Sequence, residues 1–300
     1  MSFAGDTRAE LCRVKIDSER KAVAECCGIL MFCGEFSSGK IKITTSNEEF
    51  AARVPKVFAA AFGISFDSAE KAHGRMNFVI TDRKKMGSVY AGFGTEGSFA
   101  AAQHVNFALL EESGCRAAFV RGAFLSGGSV TDPEKGFHFE LSTRHISVAG
   151  ETRSVLQEMG FEPGCSLRGG NSVIYLKRCE AIADLLTAIG APVAGMKELT
   201  AKVEKEMRNT VTRQINCDTA NTDRTVAAAQ EQIDAIKKYS ARYGLDGFPE
   251  ELRDVALLRI TNPEASLAEL ARLSLEGMSK SSVSRRLRKI TELASEMKDE

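Results

Sequence analysis

The sequence lacks long apolar runs and carries no excess of either charge. No stretch reaches the roughly 18 consecutive apolar residues that a membrane-spanning helix needs, so none is predicted. The first residues alternate charged with small side chains and contain no apolar segment, so a signal peptide is not expected. Lysine plus arginine number 40, and aspartate plus glutamate also number 40. A nucleic-acid site must therefore be sought in local clusters of charge.

The sequence also lacks the residue spacing of a metal site. It has 8 cysteines but no C-x-x-C pair, and it has 4 histidines. Structural zinc sites, by contrast, use cysteine and histidine pairs at short spacing. Cys26, Cys27 and Cys33 lie in an apolar stretch, where free thiols behave as small hydrophobes. We therefore expect a protein of the reducing cytoplasm with no metal and no cofactor.

An internal repeat occupies the first two thirds of the chain. The length of 300 residues predicts about two domains. Residues 24–36 (AECCGILMFCGEF) and 118–130 (AFVRGAFLSGGSV) each place an apolar run between two glycines. The elements predicted after each copy match in order. They are strands at 41–45, 76–81, 137–141 and 171–176, helices at 50–62, 99–112, 152–159 and 180–189, and a further strand near 165–168.

This order predicts an α+β fold with a duplicated, pseudo-twofold domain. The predicted bounds are an N-terminal arm at 1–18 and the duplicated domain at 19–195, with halves of about 19–113 and 114–195. Gly28 and Gly122 are predicted to let two helices approach closely, and Gly34 and Gly128 to end them in left-handed caps. The alternative is two unrelated buried helices that both contain glycine. The shared order of the following elements favours duplication.

The paired G-x5-G helices and the strands after them resemble the LAGLIDADG homing-endonuclease fold. In that family each motif helix delivers an acid from the penultimate motif position to a metal ion beside the DNA. On this sequence the two positions fall on Cys33 and Gly127, and neither is a carboxylate. Because Mg²⁺ needs oxygen ligands, the resemblance implies a retained scaffold with no catalytic residue.

A polar segment follows the repeat, within a predicted helical linker at 196–245. Residues 216–224 are dense in Asn, Asp and Thr, which favour turns, and a helix is predicted at 225–243. Two interpretations stay open for the segment. Its polar residues contact phosphates or a partner, or they cap helices and cross the solvent between domains. The residues concerned are Arg208, Asn209, Thr212, Arg213, Asn216 and Asn221.

Residues 246–300 predict an all-α helix-turn-helix domain. Pro249 is predicted at the first position of one helix, and Asn262 with Pro263 ends it. Ser266 and Glu269 form a capping-box pattern that opens a short second helix. A turn is predicted at 275–278, and Ser279 is predicted to cap the last helix.

That last helix separates its apolar from its basic residues. Val283, Leu287, Ile290 and Ala294 form one stripe at helical spacing, whereas residues 279–290 contain 5 basic and no acidic residues. The second helix of a helix-turn-helix enters the major groove, where arginine offers guanine two donors. The alternative is a three-helix bundle with a solvated basic face. The predicted DNA-binding residues are Ser279, Lys280, Ser281, Ser282, Ser284, Arg285, Arg286, Arg288 and Lys289.

Three stretches in this order resemble the WhiA family of bacterial DNA-binding regulators. They are residues 121–130 (RGAFLSGGSV), 207–221 (MRNTVTRQINCDTAN) and 263–290 (PEASLAELARLSLEGMSKSSVSRRLRKI). The resemblance implies a cytoplasmic, nucleoid-associated protein that acts in transcription and in cell division, chromosome segregation or sporulation.

Three functions remain in competition at this point. The first is a non-catalytic regulator that binds double-stranded DNA. The second is an adaptor whose duplicated domain binds a protein partner. The third is a residual Mg²⁺-dependent nuclease that uses other acids, for example Glu35 or Asp132. None of them requires a membrane.

Overall fold

The computed structural model of the chain describes residues 2–95, 103–274 and 277–297. The chain divides into two compact units, Met1–Glu206 and Met207–Glu300. This division falls inside the segment that was expected to link the domains, and the finer domain bounds remain predictions. Within the described residues, we find no helix with both the length and the apolar content of a membrane span.

The first unit alternates helices and antiparallel strands. Its first half contains α1 (Phe3–Cys12), α2 (Glu19–Met31), β1 (Glu35–Ser37), β2 (Lys40–Thr45), α3 (Glu48–Phe62), β3 (Ser68–Ala72), β4 (Arg75–Ile80) and α4 (Arg83–Gly92). After a 3₁₀ turn at Phe107–Leu110, its second half contains α5 (Ser113–Gly127), β5 (Gly128–Val130), β6 (Phe139–Thr143), α6 (Ile146–Glu158), β7 (Gly164–Arg168), β8 (Asn171–Leu176) and α7 (Cys179–Ile189). A long helix, α8 (Pro192–Tyr243), begins in this unit and ends in the second.

Each half of the first unit builds the same four-stranded sheet. The strand orders are β1-β2-β4-β3 and β5-β6-β8-β7, and every neighbouring pair is antiparallel. The central pairs correspond as well, with Ile41 opposite Ile80 in one sheet and Phe139 opposite Leu176 in the other. All four of these side chains are buried. The predicted duplicated α+β fold is therefore confirmed.

The two repeated helices, α2 and α5, touch backbone to backbone through their inner glycines. A Cβ atom on Gly28 would lie 2.0 Å from the carbonyl oxygen of Phe119, and one on Gly122 would lie 2.1 Å from that of Glu25. Real Cβ atoms do not come this close, so only glycine allows the helices to pack at this separation. The predicted close approach is confirmed.

The predicted left-handed caps at the outer glycines are wrong. Helix α2 already ends at Met31, and Gly34 does not have a positive φ. Gly128 has φ −95° and ψ 159°, which is extended backbone. The reason is that β1 and β5 follow these helices almost directly, so the chain must leave each helix in an extended conformation.

Other predicted elements of the first unit need correction. The helix expected at 99–112 appears, in its described part, only as the 3₁₀ turn at Phe107–Leu110, and residues 96–102 lie outside the described residues. The helix expected from residue 152 begins at Ile146, and the strand expected at 137–141 lies at Phe139–Thr143. The short strands β1, β3 and β5 were not predicted.

A buried ionic cluster fixes helix α2 between its neighbours. The carboxylate of Glu25 accepts hydrogen bonds from Arg53 Nε at 2.5 Å, Arg53 Nη2 at 2.8 Å and Arg121 Nε at 3.0 Å. These side chains are at most 8% exposed. Arg53 Nη1 also donates to the carbonyls of Cys12 and Val14. The two arginines therefore share one carboxylate, and the further hydrogen bonds of Arg53 tie the N-terminal segment to the core.

The second unit contains the rest of α8 and three shorter helices. A 3₁₀ turn at Leu245–Gly247 leads to α9 (Glu250–Thr261), α10 (Leu267–Leu273) and α11 (Lys280–Glu296). The turn predicted at 216–224 is wrong, since α8 continues through it without a break. The core of this unit draws on all four helices and is formed by Ile236, Phe248, Leu252, Val255, Ala256, Leu270, Val283, Leu287 and Ile290.

Candidate nucleic-acid interface

Helix α11 begins at a cap that the sequence predicts. The Ser279 hydroxyl accepts a hydrogen bond from the backbone N–H of Ser282 at 3.2 Å, and its Oγ lies 2.9 Å from Ser281 Oγ. Gly277, just before the cap, has φ +62°. Residues 275–276, which belong to the predicted turn, lie outside the described residues. The side-chain cap fixes where α11 starts and therefore which residues occupy its first turn.

The start of α10 is fixed in the same way. Ser266 Oγ accepts from the N–H of Glu269 at 3.3 Å, while the Glu269 carboxylate accepts from the N–H of Ser266 at 2.7 Å. This is the predicted capping box. Leu270 in this helix is fully buried beneath α11 in the shared core. The two helices of the helix-turn-helix thus pack through a common apolar layer.

The predicted apolar stripe of α11 is buried. Val283, Leu287 and Ile290 are fully buried, and Ala294 is 4% exposed. The opposite side faces solvent and carries most of the predicted DNA-binding residues. Those exposed are Ser279, Lys280, Ser281, Ser284, Arg285, Arg288 and Lys289, whereas Ser282 and Arg286 are half-buried. We call the exposed residues 279–281, 284, 285, 288 and 289 the basic face.

The cations of the basic face have few competing partners among the described residues. Arg285 has no hydrogen bond or ion pair with any described residue. Arg288 Nε lies 3.4 Å from Glu292 Oε1, one helical turn away. Lys289 Nζ lies 2.6 Å from Glu251 Oε1, and this hydrogen bond holds the pKa of Glu251 below its ordinary value. Both ion pairs are more than half exposed and contribute little stability, so these cations remain available to another anion.

Arg286 occupies a different position from its neighbours. Its Nη1 lies 2.9 Å from the sulfur of Met278, in the segment that leads into α11. The side chain is half-buried and therefore braces this end of the helix. Of the predicted DNA-binding residues, Arg286 and Ser282 are the two that the structure does not place on the exposed side.

The two positions that would hold the endonuclease acids lie close together at the ends of α2 and α5. Gly127 is the last residue of α5, and a Cβ atom on it would lie 3.1 Å from Phe32 Cβ, next to Cys33. That Cβ would also lie 2.7 Å from the carbonyl oxygen of Ser142. The backbone therefore leaves no room for a side chain at Gly127.

The thiol at the other acid position is half-buried and engaged in a hydrogen bond. Cys33 Sγ donates to the carbonyl of Leu30 at 3.2 Å, and burial raises the pKa of the Cys33 thiol to about 12. The alternative acids are also occupied. Glu35 pairs with Lys40 Nζ at 3.0 Å, and Asp132 Oδ1 accepts from the N–H of Glu134 at 3.0 Å in a turn. No group of three or more potential metal ligands is present among the described residues.

The polar segment of the linker is helical and exposed rather than a series of caps. All six of its singled-out residues, from Arg208 to Asn221, lie on the exposed part of α8. Two threonines further along donate back into the helix, Thr222 to the carbonyl of Asp218 and Thr225 to that of Asn221.

Sequence reasoning missed Arg259, the largest fully buried side chain of the second unit. It lies on α9 in line with buried Leu252, Val255 and Ala256. Its Nη1 donates to the carbonyl of Ala265 at 2.6 Å, just before α10. A basic residue at an apolar position of a helical stripe is the signal that would have revealed it.

Comparison with known proteins agrees with this architecture. The family model for the WhiA LAGLIDADG-like domain matches residues 116–208, and the model for the WhiA C-terminal HTH domain matches residues 211–294. A full-length DUF199/WhiA structure from Thermotoga maritima covers 100% of both chains with a TM-score of 0.61 at 24% identity. The structure of an N-terminal LAGLIDADG domain of DUF199/WhiA covers 63% of this chain and 90% of its own with a TM-score of 0.51 at 20% identity.

Curated relatives extend the match over the whole length. A protein of Ruminiclostridium cellulolyticum is 35% identical over 98% of this chain and 97% of its own, and one of Thermoanaerobacter sp. is 34% identical over 100% and 99%. Both are named "Probable cell division protein WhiA". Fold and matches together define a protein that joins a LAGLIDADG-like domain to a helix-turn-helix domain. This chain belongs to the WhiA family.

Proposed function

We propose that this protein is a non-catalytic, sequence-specific regulator of transcription that binds double-stranded DNA through the basic face of α11. It would act in the cytoplasm on the nucleoid, in cell division, chromosome segregation or sporulation. The observation that carries the proposal is the separation of charge on α11, where the apolar stripe is buried and the cations on the other side are exposed.

The residues of the basic face differ in the partners that each of them has. Arg285 lies near the start of α11 and has no hydrogen-bond or ion-pair partner among the described residues, so its guanidinium is available to form two hydrogen bonds with a guanine edge. Arg288 and Lys289 hold exposed carboxylates, which DNA phosphates replace at little cost. Ser281 and Ser284 flank this row with hydroxyls for bases or phosphates.

The first test is a titration of labelled duplex by fluorescence anisotropy with the full chain. The duplex is selected from a genomic pool, and affinity is measured from ~50 to ~200 mM salt, a range that reports counterion release. The double variant Arg285→Gln/Arg288→Gln is expected to lose at least ~10-fold in affinity for the selected duplex and to show a shallower salt slope.

The matched control removes two cations elsewhere. Lys56 and Arg153 are exposed on α3 and α6, and Lys56→Gln/Arg153→Gln is expected to bind like the parent. If the α11 variant also binds like the parent, or if both variants weaken binding equally, the basic face is not the DNA reader and the proposal fails.

A further inference from the structure

A cavity of about 340 Å³ opens in the second unit beside the first residue of α11. It is lined by residues from α8, α9, the start of α10, and α11. Three of them are cations, Arg224, Arg259 and Lys280. No aspartate or glutamate is among the described residues that line it. The cavity therefore concentrates positive charge that nothing in its wall neutralises.

Arg259 forms the inner end of this cavity. It lines the space yet is only 1% exposed. Its Nε donates to Gln232 Oε1 at 3.0 Å and its Nη1 to the Ala265 carbonyl, both of which are uncharged partners. No carboxylate pairs with Arg259 within the described part of the chain, and its Nη2 makes no hydrogen bond there.

A buried cation without a counter-charge is unfavourable, and burial accordingly lowers the pKa of Arg259. The contrast with the first unit is direct. There, the buried Arg53 and Arg121 share the carboxylate of Glu25. In the second unit, no described residue supplies the anion that would complete such a cluster.

We propose that this cavity is a phosphate-binding site in which Arg224, Arg259 and Lys280 hold one phosphate group. The planar guanidinium groups match the oxygen spacing of a phosphate, and the lysine ammonium adds a third charge. Arg224 reaches the cavity from the exposed part of α8, and Lys280 joins it to the basic face. A phosphate of the DNA backbone and a small phosphorylated molecule share this chemistry.

The test uses the full chain and two phosphate sources. In the first arm, inorganic phosphate is titrated at constant ionic strength while the Nε–H resonance of Arg259 is followed by NMR. We expect a saturable shift in the parent that is lost in Arg224→Gln. Because Arg224 is exposed, this variant is expected to fold normally, whereas substitution of buried Arg259 would disturb the core. The control is Lys237→Gln, which removes an exposed cation of α8 outside the cavity.

In the second arm, duplex affinity is measured against salt for the same three proteins. If a backbone phosphate occupies the cavity, Arg224→Gln reduces the slope of log affinity against log salt by about 0.9, whereas Lys237→Gln leaves it unchanged. A shift with inorganic phosphate and an unchanged slope identifies a small phosphorylated ligand. A changed slope without that shift identifies the DNA backbone. No shift and no slope change overturn the proposal.

Only the duplex arm rests on the DNA-binding function proposed above. If the protein fails to bind any duplex but the Arg259 resonance responds to inorganic phosphate, the cavity proposal stands and the proposed function fails. If duplex binding depends on Arg285 and Arg288 while Arg224→Gln behaves like the parent in both arms, the cavity proposal fails alone.

Discussion

The two paired elements of this protein, α2 with α5 and α10 with α11, use their charged residues in opposite ways. At the centre of the first unit, Glu25, Arg53 and Arg121 are buried and satisfy one another. On α11, Arg285, Arg288 and Lys289 are exposed, and within the described part of the chain they have weak ion-pair partners or none. A buried, satisfied cluster contributes to one specific packing, whereas exposed cations contribute almost nothing to stability and remain available for binding.

The two regions also differ in which side chains they offer for binding. The first unit has the backbone contact of its helix pair, but neither position that would hold an endonuclease acid carries a carboxylate. Cys33 is a half-buried thiol, and Gly127 lies against tight backbone. The second unit carries its candidate binding residues on the exposed basic face of α11. Substitutions that separate stability from binding therefore test the comparison.

The largest effect is expected at the helix contact. Gly28→Val places a branched side chain where a Cβ atom already lies 2.0 Å from the Phe119 carbonyl oxygen. The helices must then separate, and the first unit should lose about 4 kcal/mol or more, or fail to fold. Amide hydrogen exchange should show loss of protection in α2 and α5 while α11 keeps its own.

The matched control for that change is Gly34→Ala. Nothing lies within 4 Å of a Cβ atom at Gly34, and its φ is not positive, so this substitution should be close to neutral. Equal effects of the two substitutions would show that the close contact does not hold the repeat together.

The next effect is expected at the buried carboxylate. Glu25→Gln leaves Arg53 and Arg121 buried without a counter-charge and should cost about 3–5 kcal/mol in urea unfolding. Glu112→Gln breaks the Arg20 ion pair instead, where both side chains are more than half exposed, and should cost less than ~1 kcal/mol. Similar costs for both changes would remove the distinction between buried and exposed pairs.

A smaller effect, which depends on pH, is expected at Glu198. This residue of α8 is fully buried, and its carboxylate oxygens have no hydrogen-bond partner among the described residues. Burial raises the pKa of Glu198 to about 7 despite nearby Lys205. Asp132 raises the pKa further. The folded state therefore binds the proton more tightly than the unfolded state, so this carboxyl lowers stability as pH rises from its ordinary pKa through about 7.

Glu198→Gln, which resembles the protonated form, should accordingly stabilise the protein at pH 8 by up to about 3 kcal/mol and should have little effect near pH 4. Unfolding midpoints at the two pH values measure this. The exposed Glu162→Gln serves as the control and should change neither midpoint. A Glu198→Gln variant that is less stable at pH 8 would contradict the prediction.

The smallest effect on stability is expected on the basic face, where substitutions should change DNA binding most. Arg285→Gln/Arg288→Gln removes no buried contact and should alter the free energy of unfolding by less than ~0.5 kcal/mol. The same urea experiment measures it beside the anisotropy titration. A loss above ~2 kcal/mol would mean that the basic face is structural, and the comparison of the two regions would then fail.

Local signals predicted the last two helices, α10 and α11, well. The Ser266 and Glu269 capping box, the Ser279 cap and the buried stripe of α11 depend on residues three or four positions apart, and all are confirmed. The close approach at Gly28 and Gly122 could also be predicted from the sequence, because the two glycines occupy the same position in the two copies of the repeat.

Features that depend on tertiary or competing local interactions could not be predicted. The Asn, Asp and Thr residues of 216–224 favour turns in isolation, but within α8 Thr222 bonds back to the Asp218 carbonyl one turn earlier. Gly34 and Gly128 matched a cap pattern, but the adjoining strands set their backbone conformation. The partners of Arg259 lie 27 positions earlier and 6 positions later in the chain, at distances that no local pattern encodes.

The close contact of α2 with α5 at Gly28 and Gly122 also bears on the order in which the protein forms as it is made. Helix α2 has its inner face covered by α5, whose central glycine is added to the nascent chain 94 residues later. At roughly 5–20 residues per second, that delay lasts about 5 to 19 s. Throughout it the face of α2 that packs against α5 is uncovered, so we expect the two halves to complete their shared core together.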